Sequence, residues 1–366
     1  MTLRILFVED DTAAVAPVQD ALKKAFAVRC DACSFEDVEE RIGSFRPDVV
    51  ILDLLAGPEV PGAEALARIF NATFRPIVVY SANPDAAADA VPKNPFIRYQ
   101  KKGAGSDRAV VEHVRSFESH IRALQSVEEE IDNVMRNALR DVGPFAFGDD
   151  LRLAEGERAL FLKHCARRRV AALMDQETIS EGGIATYGQY LVPPFHKTLL
   201  TGDLIRRRAG NPGQPEDYLV VLTPSCDLEQ GKVLKILAAK CKPARELIHS
   251  LGLTQAQKKR IQEQVLKVHN DGYANELIIL PSFPGRWPPM VASLRDLDVI
   301  GIDRIALDAS GEEEYRREAS IDSPFREAIS WNLARFAGRP GLPKRNTELS
   351  AAQYADAFLE SRDGKG

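Results

Sequence analysis

The order of apolar and polar positions divides the chain into three regions. In the first hundred residues, short unbroken apolar runs alternate with segments of helical spacing. Residues 4–8, 48–53, 76–80 and 96–102 predict strands, and residues 12–26 and 62–70 predict helices. Strands that are apolar at consecutive positions bury both faces, so these runs predict a parallel sheet covered by helices on either side. The expected fold is a doubly wound α/β domain, in which function collects where the carboxyl ends of the strands stop.

Residues 107–142 contain neither proline nor glycine. Their apolar residues recur at Val110, Val114, Phe117, Ile121, Leu124, Ile131, Met135, Ala138 and Val142, in alternating steps of four and three, with Glu128 alone breaking the seam. That 3.5-residue average is a heptad pattern and predicts one long coiled-coil helix. At 1.5 Å per residue it would reach ~54 Å, and Gly143-Pro144 would end it. Two readings stay open: the seam packs on the chain's own second domain, or it pairs in a parallel homodimer.

The remainder reads as α+β. Residues 151–176 predict a helix, 218–223 and 234–239 strands joined by a hairpin at 229–232, and 243–270 a helical insertion. Residues 276–280, 290–294 and 298–305 predict further short strands, and 324–337 and 350–361 closing helices. Short strands with Pro/Gly turns predict a small β-barrel or sandwich. The expected domains are therefore 1–106, a linker helix over 107–142, and a C-terminal output domain over 143–366.

Composition narrows the function classes. The chain has 366 residues, 45% hydrophobic and 28% charged, with a formal net charge of −5. The length favours more than one core, and the apolar fraction excludes wholesale disorder. No apolar run approaches the ~18 residues of a membrane span, and the start, MTLRILFVEDD, lacks a signal peptide's apolar region. Five scattered cysteines, with Cys30 and Cys33 a lone CxxC, fit a reduced, cytoplasmic protein. Residues 1–106 hold 12 Lys+Arg against 15 Asp+Glu, residues 107–142 hold 5 against 8, and the rest 31 against 30. No region has the positive balance that favours nucleic acid, so DNA binding is not expected.

The polar residues at the predicted strand ends carry the chemistry. Glu9, Asp10 and Asp11 follow the first strand, Asp53 ends another, Ser81 follows Tyr80, and Lys101 and Lys102 close the last. Carboxylates converging on one edge repel unless a cation joins them, and a hard divalent ion with oxygen ligands, Mg²⁺, suits such a set. A carboxylate beside that ion can accept a phosphoryl group, with a hydroxyl and a lysine binding its oxygens.

This constellation resembles the receiver domain of two-component response regulators over residues 3 to about 120. ILFVED looks like that family's first strand and acidic pair, which implies Glu9 and Asp10 as metal-side acids. DVVILDL implies Asp53 as the phospho-acceptor and metal ligand, with the Leu55 carbonyl as a further metal contact. VVYSAN implies Ser81 as the switch hydroxyl. FIRYQKKG implies Lys102, since Tyr99 then takes the switch-aromatic position. The resemblance implies a five-stranded flavodoxin-like sheet, a histidine kinase as phosphoryl donor, and Mg²⁺ as cofactor. The loop after Asp53, through Gly57-Pro58 and Pro61-Gly62, is about one residue longer than the family's.

In the C-terminal region, Thr201-Gly202-Asp203 precedes the first strong strand and Thr223-Pro224-Ser225-Cys226-Asp227 follows it. This order, with a later strand pair over 291–304, resembles in spacing the SH3-like barrel of the MazF/PemK toxin endoribonucleases. Cys226, Asp227 and Asp203 are the candidate site, with Cys226 as a thiol nucleophile if a base such as His196 lies near. Two outputs are carried forward: a module that docks a protein partner, and an effector enzyme acting on RNA.

Overall fold

The structure, a computed structural model, describes residues 2–9, 12–54, 61–91, 93–148, 153–180, 185–271, 276–308, 310–338 and 347–363. The chain divides into two compact units, Met1–Asp175 and Gln176–Gly366.

In the first unit, β1 (Leu3–Val8), α1 (Thr12–Ala25), β2 (Val28–Cys33), α2 (Val38–Phe45), β3 (Val49–Leu52), α3 (Pro61–Ala72), β4 (Ile77–Ser81), β5 (Ile97–Lys101) and α4 (Ser106–Ser116) alternate along the chain. The five strands pair in parallel in the order β2-β1-β3-β4-β5. Alternation along each strand explains the unbroken apolar runs. Leu6, Val8, Val50, Leu52 and Val79 pack with Val38, Ile42, Leu66 and Ile69 of α2 and α3. Ile5, Phe7, Val49, Ile51 and Val78 pack on the other face with Val18 and Leu22 of α1 and Val110 and Val114 of α4. Each such side chain contributes about 1.5–3 kcal/mol on burial.

The sequence pattern did not mark β2, whose Val-Arg-Cys-Asp-Ala-Cys mixes charge with small residues on an edge strand. Cys30 and Cys33 lie three apart on that strand and so on opposite faces, each joining a different core. The lone CxxC is therefore part of a strand, with neither cysteine in a disulfide.

The single helix expected over 107–142 is two helices, α4 and α5 (Glu118–Phe147). The break is at Phe117, 2% exposed, whose N–H reaches the Val114 carbonyl at 3.1 Å and whose ring stacks on Phe96. Burying that ring tightens the turn and redirects the chain. Gly143-Pro144 does not stop α5, which runs on to Phe147. Proline there falls in the last turn, and its cost is confined to the one hydrogen bond it cannot make to the Arg140 carbonyl.

Glu128, the odd residue of the seam, is explained by the receiver-like core beside it. It forms an ion pair with Arg75, and Asp132 one turn on pairs with Arg46 at 3.5 Å. α6 (Glu155–Ser180) is tied back to α5 by Arg169 to Asp141 at 2.6 Å and by Arg158 to the Gly148 carbonyl at 2.8 Å. Val134, Ala138, Val142 and Ala146 of α5 are buried, whereas Val127, Ile131, Met135 and Leu139 are 39–53% exposed.

The second unit is built on β6 (Tyr190–Leu191), β7 (Asp203–Arg207), β8 (Tyr218–Val221), β9 (Lys235–Pro243), β10 (Leu277–Leu280), β11 (Met290–Gly301), β12 (Ile305–Ala306) and β13 (Tyr315–Ile321). Its helices are α7 (Ser225–Glu229), α8 (Arg245–Ser250), α9 (Lys258–Asp271), α10 (Phe325–Ala337) and α11 (Thr347–Asp363). The small barrel or sandwich expected here is, among the described pairings, a mostly antiparallel sheet with the open path β10-β11-β9-β8-β7-β13-β12, and β6 beside β13. Both faces are buried, Leu204, Tyr218 and Val220 on one and Ile205, Leu219 and Val221 on the other.

Two expected strands, 290–294 and 298–305, are one strand, β11, with a register shift between Ala292 and Leu297. The irregularity moves the strand's inward side from the core of Met290, Ala292 and Leu294 to that of Ile300. The expected hairpin at 229–232 is replaced by α7 and a turn with Gly231 at φ 62°.

Candidate functional site

The carboxyl edge of the parallel sheet collects the polar groups because Glu9, Asp53 and Lys102 each follow a strand by one residue and Ser81 ends one. The Glu9 N–H bonds to the Cys33 carbonyl at 3.1 Å, the Asp53 N–H to Val8 at 3.0 Å, and the Lys102 N–H to Ser81 at 2.8 Å. Adjacent strands thus fix the backbone on which all four side chains stand.

Lys102 donates from Nζ to Asp53 Oδ2 at 2.7 Å and to Glu9 Oε2 at 3.4 Å. Glu9 is 3% exposed, Asp53 12% and Lys102 28% at the side chain, so the cation shares two largely desolvated carboxylates. Burial opposes the ammonium charge, but Asp53 and Glu9 outweigh it and hold the Lys102 pKa above its ordinary value. The Asp53 carboxylate also accepts the Leu54 N–H at Oδ1, 2.8 Å. Ser81 is buried and donates to the Leu54 carbonyl at 2.9 Å. Tyr99 is half-buried against the α2/α3 side of the sheet, and burial, then Asp85 and Asp89, raises its phenol pKa. Lys101 is exposed.

Asp10 and the Leu55 carbonyl lie outside the described residues. Glu9 and Asp53 bring two oxygen-donor side chains together at the Lys102 ammonium, and donors of this hard kind suit Mg²⁺. No group of three or more His, Cys, Asp or Glu with metal-holding geometry occurs among the described residues.

Gly62, the expected start of the helix over 62–70, is also a positioning residue. A Cβ there would stand 2.8 Å from the Leu54 Cα and 3.1 Å from the Asp53 carbonyl oxygen. The start of α3 therefore approaches the acceptor's backbone as closely as only glycine permits.

The C-terminal candidates are not gathered in this way. Asp203 is fully buried, accepting from Ser320 at 2.6 Å and the Leu200 N–H at 2.9 Å, with Arg317 at 3.5 Å. Burial pushes its carboxyl pKa up against these bonds. Cys226 is exposed on α7, with Sγ 3.8 Å from Asp227 Oδ1. The hydrogen bonds of Asp203 lead to β13 and those of Cys226 to its chain neighbour, so no described contact joins them. His196 meets Arg317 through its backbone carbonyl, at 2.5 Å.

The strand order 2-1-3-4-5, all parallel, is the flavodoxin-like arrangement, and it defines the N-terminal third as a receiver-type α/β fold. That third is similar to solved response-regulator receiver structures. One is a transiently phosphorylated switch in bacterial signal transduction, at 25% identity over 33% of this chain and 99% of that one, with a TM-score of 0.29. Another is the response regulatory domain of protein mrkE from Klebsiella pneumoniae, at 16% identity over 33% and 99%, TM-score 0.28. The anti-anti-sigma factor PhyR from Bartonella quintana is similar at 13% identity over 34% of this chain, TM-score 0.28, and the match spans about half of PhyR, 52%. No family model and no curated protein matches the chain. No helix among the described residues is long and apolar enough to cross a membrane.

Proposed function

We propose that the chain is a response regulator whose Asp53 accepts a phosphoryl group from a histidine kinase. The observation that carries this reading is the single Lys102 ammonium against both Asp53 and Glu9, with the Ser81 hydroxyl one hydrogen bond away through Leu54. An Asp53 carboxylate oxygen forms the new P–O bond as the donor's leaving group departs. Lys102 stays with the transferred group and offsets its charge. Ser81 turns its hydroxyl from the Leu54 carbonyl to a phosphoryl oxygen, and Tyr99 follows into the space this opens. Glu9 and Asp53, with Asp10 and the Leu55 carbonyl, would hold Mg²⁺, which neutralises charge on the transferring group. Acetyl phosphate should label the wild type stoichiometrically and leave Asp53→Asn unlabelled; stoichiometric labelling of the variant would sink the assignment.

The readout proceeds through α5 to a second copy and then to the C-terminal unit. The exposed row Val127, Ile131, Met135 and Leu139 supports a homodimer through a face that keeps Ile131 and Met135 of the original seam, whose first half is spent on the chain's own core. The C-terminal unit acts as a docking module for a protein partner rather than a DNA-binding one. Its competitor, an RNA-directed enzyme built on Cys226, is tested by incubating the full chain with RNA. Turnover lost in Cys226→Ala would replace the docking reading.

A further inference from the structure

In the second unit, a cavity of about 360 Å³ opens beside β13, between Pro193 and Pro194 on one side and Arg286 and Arg316 on the other. Its charges do not balance. Glu318 is 7% exposed and receives Arg206 Nε at 2.8 Å, Arg316 Nη2 at 2.7 Å and Arg286 Nη1 at 4.0 Å. Three guanidinium groups share Glu318; with the Asp308 carboxylate of the wall counted, one positive charge is in excess in a partly desolvated place. The other acid of the wall, Asp308, is occupied by its own loop, accepting from the Ser310 N–H at 2.9 Å, the Ser310 hydroxyl at 2.5 Å and the Gly311 N–H at 3.2 Å.

Arg317 lines the same cavity but is spent on the fold. Its guanidinium donates to the Thr198, His196 and Leu307 carbonyls and meets Asp203, at 2.9, 2.5, 3.0 and 3.5 Å. Its Nε–H is buried with no acceptor, a polar group left unsatisfied in the cavity wall. The Arg286 side chain, half exposed, makes no hydrogen bond among the described residues beyond that long ion pair, so its guanidinium donors are available.

We infer that this cavity is a binding site for a small phosphate monoester, with Arg286 and Arg316 gripping the phosphate. Guanidinium forks match phosphate oxygens in geometry. A monoester brings three phosphoryl oxygens to the two guanidinium groups, where a carboxylate brings two, and its charge of about −1.5 to −2 at pH 7 more than offsets the one positive charge in excess. The volume exceeds a phosphate group and leaves room for an organic portion against the prolines and Leu307.

The test is calorimetric titration of the full chain with AMP, inorganic phosphate and acetate. AMP and phosphate should bind saturably and acetate much more weakly. Arg286→Gln, at a half-exposed position, should weaken AMP at least about tenfold, ~1.4 kcal/mol, without lowering the melting temperature, and Arg286→Lys should recover part of the affinity. Arg316→Gln should do likewise. Lys102→Ala, which alters the other anion-binding place in the chain, should leave AMP affinity intact. Absence of saturable binding, equal affinity for acetate, unchanged affinity in Arg286→Gln, or loss confined to Lys102→Ala would each overturn the site. Asp53 labelling by acetyl phosphate is independent of all these outcomes.

Discussion

Replacing Lys102 by alanine probes the one cation between Glu9 and Asp53. At an effective dielectric of about 20, opposite charges 4 Å apart attract by about 4 kcal/mol before desolvation is subtracted. Breaking a fully buried pair costs about 3–5 kcal/mol, and an exposed one about 0–1 kcal/mol. Lys102 is 28% exposed at the side chain while Glu9 and Asp53 are 3% and 12%, so the loss should fall between these limits, at ~2 kcal/mol. The variant also leaves the two carboxylates facing each other without a counter-charge. For a unit of this size, ~2 kcal/mol corresponds to a fall in melting temperature of roughly 4–8 °C.

Scanning calorimetry of wild type and Lys102→Ala in EDTA at neutral pH measures this directly. Mg²⁺ should raise the variant's melting temperature more than the wild type's, because the variant offers two unneutralised oxygen donors. The pH dependence has a definite sign. The Lys102 pKa is raised from 10.5, so its contribution is complete below 10.5 and disappears as pH climbs through the native value. The difference between the two proteins should therefore be level near neutrality and close only in strong alkali. Equal melting temperatures in EDTA would show that the lysine contributes nothing to the edge, and the electrostatic account of the site would fail with it.

Gly62→Ala places a methyl group 2.8 Å from the Leu54 Cα; it should cost about 1–3 kcal/mol by overpacking and slow Asp53 labelling, read by calorimetry and acetyl phosphate incorporation. Glu128→Gln removes the Arg75 ion pair and should speed amide exchange over the first half of α5 while costing about 1 kcal/mol or less. Met135→Glu with Leu139→Glu should convert a dimer to a monomer in light scattering, and a wild type that is monomeric at high concentration refutes the dimer. The raised pKa of buried Asp203 means that its contribution to stability falls as pH rises from the ordinary carboxylate range through its native value; Asp203→Asn should flatten that slope in denaturation midpoints across pH 4–7.

How legible each element was depended on where its charges are satisfied. β1, β3 and β4 could be read because their residues are apolar on both faces, as a covered parallel sheet requires; β5, Ile-Arg-Tyr-Gln-Lys, is an edge strand of mixed character. β13 could not, because Tyr-Arg-Arg-Glu-Ala-Ser-Ile looks like a solvated segment. Its Arg317 and Glu318 are buried only because Arg206, Asp203 and backbone carbonyls from distant positions meet them. No local pattern carries that information. The heptad seam misled for a related reason: its spacing is real, but Phe117 belongs to the receiver-like core and Glu128 to Arg75, so one row of positions serves two neighbours. The acidic edge was visible as residue types at strand ends, whereas the closeness of Gly62 to Leu54 is a property of two segments meeting and leaves no trace in either.

The placement of α5 constrains how a phosphoryl group could be sensed. Arg75 and Arg46, which hold Glu128 and Asp132, precede β4 and β3, so the α5 ion pairs lie at the amino edge of the sheet. Asp53 and Ser81 lie at the carboxyl edge, about 15 Å away for strands of four or five residues at ~3.3 Å each. Central strands buried on both faces are stiff, so a push along β3 or β4 is a poor carrier. A shorter route leads through α4. Ser106, its first residue, donates to the Gly103 carbonyl at 2.7 Å and lies 2.8 Å from the Tyr80 hydroxyl, and the Tyr80 ring stands 5.5 Å from Lys102 Nζ. The far end of α4 is Phe117, where the chain turns into α5. On the function proposed above, movement of Lys102 toward a phosphoryl group would disturb the Tyr80–Ser106 contact at one end of α4, and a helix of eleven residues would deliver the change to the break at the other. On this route Ser106→Ala should leave Asp53 labelling intact while removing its effect on amide exchange in α5; retention of that effect would direct attention back to the strands.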